Sequence, residues 1–103
     1  MTISKAFQIF LSQAPDHAKA WMGAVHGLDG ASALDKKTEE LAYLAVLAAA
    51  RLTSGIPFHV QSAKAAGASR AEIISAVLIG LPAVGNSVIE ALPVALAAYD
   101  GEG

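Results

Sequence analysis

Apolar residues recur at three- and four-residue spacing along nearly the whole chain and nowhere alternate with period two. That pattern selects helices and excludes half-buried strands. Alanine is the most frequent residue and is also the best helix former. Breakers divide the chain into about six predicted helices. The first covers residues 4–13 and stops before Pro15, with Ala6, Ile9 and Phe10 on its apolar face. The second covers 16–25, with Asp16 as cap and Gly27 and Gly30 closing it. The third covers 36–52 behind the capping residues Ser32 and Asp35; Leu41, Leu44, Ala45, Ala48 and Leu52 form its stripe. Ser54 is the predicted cap of a fourth helix, which holds Pro57 in its first turn and ends at Ala66 before Gly67. Ser69 and Glu72 form a capping box for a fifth, 70–79. A sixth covers 83–99, bent near Pro93, and the tail from Asp100 is expected to fray.

The chain has 103 residues, 54% of them hydrophobic and 16% charged, against a usual charged share of about 25%. Its mean hydropathy is +0.49. A single domain of this length buries only about two-thirds of its unfolded surface. More apolar surface is present than a monomer can hide, so we expect one all-α domain over residues 1–103 that associates with copies of itself. A membrane span is disfavoured. The uncharged run from Leu41 stops at Arg51, short of the roughly 20 residues that cross a bilayer. Gly80, Pro82, Gly85, Asn86 and Glu90 break the stretch from Ile73 to Leu92. The net charge of −2, with no basic patch, argues against nucleic acid. The absence of cysteine removes disulfides, zinc–thiolate sites and thiol chemistry. No signal pattern opens the chain, so a cytoplasmic location is expected. No metal-ligand spacing is present, and Gly80-Leu-Pro-Ala-Val-Gly85 lacks the Lys and Ser/Thr of a phosphate loop, so neither metal nor cofactor is expected.

Two residues stand out as candidates for chemistry. His59 shares a helix side with Ile56, Val60, Ala63 and Ala66, so it faces the apolar stripe. The simplest reading is a core histidine satisfied by a backbone carbonyl; the alternative is a proton-transfer group. Glu40 lies one turn before Leu44 at the edge of the third helix's apolar face, while Glu39 points further outward. It reads either as a first-turn glutamate favoured by the helix dipole and paired with Lys36 or Lys37, or as a general acid or base tuned by burial. Ser54 is most simply a cap; a Ser54–His59 nucleophile pair lacks a visible third residue. His17 and His26 are expected to be exposed. Leu52, Phe58 and Trp21 are candidate walls of a pocket.

The spacing of Glu40, the following turn and His59-x7-Gly67-Ala-Ser-x-x-Glu72-Ile73 closely resembles the core of the alkylhydroperoxidase D-like / carboxymuconolactone decarboxylase family. The likeness covers about residues 37–79. Gly80-Leu-Pro-Ala83 resembles the segment that follows this core in the decarboxylase branch. The resemblance implies an all-helical orthogonal bundle around a two-helix hairpin, assembled as trimers or hexamers. It also implies a Glu/His proton relay at Glu40 and His59, with Ser54 between the family's two cysteine positions. Those positions hold Leu52 and Gly55, so a thiol peroxidase mechanism is excluded. The decarboxylase branch acts on a carboxylated lactone by proton transfer, but tends to carry an acid where this chain has Gly55. The expected function is acid/base catalysis on a small organic acid or lactone. The alternative is a non-catalytic oligomer of the peroxiredoxin-activity (alkylhydroperoxidase) family that binds a small ligand.

Overall fold

A computed structural model describes residues 3–101, and all regular structure among them is helical. The chain forms two compact units, residues 3–34 and the remainder from Asp35.

The first unit is a helical pair. Ser4 accepts a hydrogen bond from the Phe7 N–H at 3.2 Å and starts α1, Lys5–Gln13. Helix α2, Pro15–Ala31, opens on its proline and packs Ala18 inward. This helix differs from expectation at both ends. Asp16 sits inside the first turn rather than capping it, where its charge still favours the helix dipole. Gly27 and Gly30 do not terminate it, because neither takes a positive φ. A helical glycine costs only about 1 kcal/mol relative to alanine.

The second unit carries the main core. Asp35 accepts from the Thr38 N–H at 2.8 Å and caps α3, Lys36–Ala49. The helix ends three residues before the expected boundary. Arg51 turns to φ 61, and Leu52 N–H donates to Leu47 C=O at 2.9 Å. This is a Schellman turn with arginine at the left-handed position. Leu52 is therefore not core but 57% exposed, and Ala45 is only half-buried. A single 3₁₀ turn, Thr53–Gly55, leads into α4, Ile56–Ala65. Gly67 terminates α4 at φ 99 as predicted. Helix α5, Arg70–Leu78, starts with both halves of the Ser69/Glu72 capping box in place.

The predicted sixth helix does not exist as one element. A short turn α6, Leu81–Val84, meets Gly85 at φ 70. A 3₁₀ segment, Gly85–Ala91, then precedes α7, Leu92–Tyr99. Pro93 starts α7 rather than bending a longer helix, since a proline fits the first turn without losing a hydrogen bond. Glu102 and Gly103 of the predicted tail lie outside the described residues. Asp100 is held by Arg70, with Nε–Oδ1 and Nη2–Oδ2 both at 3.0 Å. Leu44, Ile56, Val60, Ile73, Val77 and Val88 are fully buried and knit α3, α4, α5 and the 3₁₀ segment together, with Ala95 and Ala98 closing from α7. By length and composition the stretch Arg70–Tyr99 is apolar enough to cross a membrane, at a mean hydropathy of 1.7. Its backbone is broken at residues 79–91, and Ile73, Val77, Val88 and Ala95 belong to the core.

Candidate functional site

Helix α3 places Lys36, Glu40 and Tyr43 along one face, at i, i+4 and i+7. Helix α4 presents His59 from the other side. Its neighbours Ile56, Val60 and Ala63 enter the core, which fixes the helix rotation and leaves His59 at the core's edge. The two elements meet at a hydrogen bond of 2.9 Å between His59 Nδ1 and Glu40 Oε2. Glu40 is buried, at 6% exposure, while the His59 side chain keeps 26%. Lys36 Nζ lies 3.3 Å from the second carboxylate oxygen, Oε1. Each oxygen of Glu40 thus has its own cationic or donor partner. Lys37, the other candidate partner, turns instead to Glu72 at 2.9 Å.

An ionised carboxylate only accepts, so the Glu40 bond requires the proton on His59 Nδ1. In the neutral imidazole this tautomer leaves the lone pair on Nε2. Two aromatic rings flank the imidazole. Tyr43 stands edge-on, with ring centroids 4.5 Å apart and planes at 60°. Phe58 stands 5.2 Å away at 77°. Both are partly exposed, at 45% and 43%.

The other predicted residues divide. Ser54 is exposed in the 3₁₀ turn, and no hydrogen bond joins it to His59 or Glu40. It does not cap α4 either: Gly55 occupies that position and no side chain caps the helix, because the 3₁₀ turn feeds directly into it. Phe58 does border the site, as expected of a wall. Leu52 is open to solvent, and Trp21 belongs to the N-terminal unit. His17 and His26 are exposed, as predicted. A Cβ added to Gly55 would meet Leu47 at 3.6 Å, an ordinary contact, so a side chain there is sterically admitted. Among the described residues no group of three His, Asp or Glu side chains is placed to hold a metal ion. An open apolar groove lined by Leu41, Ala45 and Ile79 includes neither Glu40 nor His59.

Sequence reasoning missed Tyr43. Its signal was present: a large aromatic three positions after a candidate carboxylate shares that carboxylate's helix face.

Over residues 15–97 the sequence matches the carboxymuconolactone decarboxylase family. The chain belongs to that family. No curated protein and no solved structure matches it.

Proposed function

We propose that this protein is a small acid/base enzyme in which His59 Nε2 moves a proton on a small organic acid or lactone. Glu40 orients the ring through Nδ1. The observation that carries this reading is the 2.9 Å His59–Glu40 bond between a buried carboxylate and a partly exposed imidazole. A structural pair would have no need to leave one imidazole edge at the surface. For a β-keto acid, or its vinylogue with a C=C between carbonyl and acid-bearing carbon, the step balances. Neutral Nε2 takes the carboxyl proton, the C–C bond to the carboxylate breaks and CO₂ leaves, the electron pair passes into the carbonyl as an enolate, and the imidazolium returns the proton to carbon.

The protein is proposed to work as a homo-oligomer, a trimer or hexamer, in the cytoplasm, without nucleic acid or membrane. Tyr43, Val46, Leu52 and Phe58 are each more than 40% exposed, and burying such side chains between copies would enclose the site.

The test is turnover of a carboxylated muconolactone, followed by loss of its ultraviolet absorbance. His59→Ala is expected to lower kcat by about 10²–10⁴-fold, the usual contribution of a positioned proton-transfer group. Glu40→Gln should reduce it by a smaller factor. Turnover that survives both substitutions would sink the acid/base reading.

The second reading, a non-catalytic ligand-binding oligomer, is favoured by Leu52 and Gly55, which supply neither thiol nor acid. It predicts no turnover of small lactones by the wild type. It also predicts that neither variant loses affinity for a small ligand that the wild type binds.

A further inference from the structure

His59 has one strong directional contact, the bond from Nδ1 to Glu40. A single hydrogen bond is a weak constraint on an imidazole. Rotation about χ2 is broad and roughly two-fold, and a half-turn would put a carbon where Nδ1 now sits. The side chain also keeps 26% of its surface exposed, so packing does not enclose the ring on every side. Something further has to hold the ring plane.

We propose that Tyr43 is the positioning residue that keeps the Nδ1 edge of His59 turned to Glu40, and so fixes Nε2 as the nitrogen presented outward. The proposal rests on the acid/base reading of the pair. Tyr43 follows Glu40 by three residues on α3, so one helix face delivers both the acceptor and the ring that aligns its donor. At 4.5 Å between centroids and 60° between planes, the contact is the edge-to-face arrangement that aromatic pairs prefer. Phe58 stands against the same imidazole at 5.2 Å and 77°. Between them the two rings restrict a χ2 rotation that the hydrogen bond alone leaves soft. No hydrogen bond of the Tyr43 hydroxyl is present among the described residues, so the ring carries the role and the hydroxyl does not.

The experiment is nitrogen-15 NMR of the full chain at about pH 8.5, where histidine side chains are ordinarily neutral. Nδ1 and Nε2 shifts report which nitrogen carries the proton. His17 and His26, both exposed, serve as internal references for a free imidazole. In the wild type, His59 is expected in the Nδ1–H form, with that proton exchanging slowly with water. Tyr43→Phe should keep both signatures. Tyr43→Leu, and Tyr43→Met as an unbranched control of similar volume, should shift His59 toward the tautomer mixture of the two references. In both, Nδ1–H exchange should speed up at least tenfold, with the helical circular dichroism unchanged. If Tyr43→Leu and Tyr43→Met keep the wild-type signature, Tyr43 has no positioning role, while the Glu40–His59 pair stands. If Tyr43→Phe behaves like Tyr43→Leu, the hydroxyl rather than the ring is responsible and the proposal is overturned. A wild-type His59 without the Nδ1–H form would overturn the pair itself, and that outcome is distinct from the other two.

Discussion

Lys37 Nζ lies 2.9 Å from Glu72 Oε2, while the other oxygen of the same carboxylate accepts the Ser69 N–H at 2.9 Å. One side chain therefore caps α5 and ties its first turn to the first turn of α3. Two lysines at the start of α3 oppose the helix dipole. Each is matched to a carboxylate, Lys36 to Glu40 and Lys37 to Glu72.

These contacts set a response to acid. The Glu72 carboxyl is held below its ordinary value, chiefly by the Ser69 backbone N–H and then by Lys37. Asp100 is lowered chiefly by Arg70, and Asp35 chiefly by the Thr38 backbone N–H. A carboxyl that titrates lower when folded binds fewer protons in the folded state, so stability rises with pH across the window between its two pKa values. The contribution is fully present above the unfolded value, about pH 4 for carboxylates, and is lost as pH falls through the lowered folded values. Urea midpoints should be insensitive to these three groups from pH 5 to 7 and fall below pH 4. Glu72→Gln should flatten that acid slope.

Arg51 holds a left-handed backbone conformation, at φ 61. Side chains other than glycine disfavour that region by about 1–2 kcal/mol. Glycine regains part of this as extra freedom in the unfolded chain. Arg51→Gly is expected to raise stability by about 0.5–1 kcal/mol, seen as a higher urea midpoint at unchanged slope. Gly67→Ala, at φ 99, should do the reverse.

Breaking the Glu40–His59 pair from one side should differ from replacing both partners. His59→Ala leaves a buried carboxylate held by Lys36 alone on its Oε1 side and should cost about 1–3 kcal/mol. The double change Glu40→Leu with His59→Leu should restore much of that loss. A double variant less stable than either single one would contradict this account.

The turn between α3 and α4 is close enough to accept an engineered disulfide. Gly55 N–H donates to Leu52 C=O at 3.2 Å, an i to i+3 closure of the kind that brings the Cα atoms within about 7 Å. A disulfide requires a similar approach. Leu52→Cys with Gly55→Cys is expected to form an intramolecular disulfide and to consume organic peroxide when a dithiol is supplied. The wild type, without cysteine, should not.

Much of this arrangement was legible in the sequence, for reasons particular to each element. The Ser69/Glu72 box and Gly67 announced their turns because capping and positive φ are local demands. The helix rotation that brings His59 to the core edge followed from Ile56, Val60 and Ala63. Glu40 and His59 were named as a pair through family resemblance; periodicity alone left each with a plainer reading. The misjudged points depended on neighbours. Arg51 hid the end of α3, because the chain accepts a strained residue there where a glycine would have marked it. Gly27 and Gly30 suggested an end that the helix does not make. Residues 83–99 look helical in composition, but Gly85 and the 3₁₀ segment break the axis. Lys36 rather than Lys37 as the partner of Glu40 was decided by where Glu72 sits, which no local pattern carries.

Glu40 and His59 are only nineteen positions apart in the chain, and the α3–α4 hairpin that joins them is itself a short-range unit. Such contacts close early, before the chain's distant parts need to meet. The Glu40–His59 pair is thus expected to form early in folding, so that sequence changes there alter the speed of folding more than the speed of unfolding. Changes to α7, which packs from the far end of the sequence, should act on the lifetime of the folded protein and leave the assembly of the pair itself untouched.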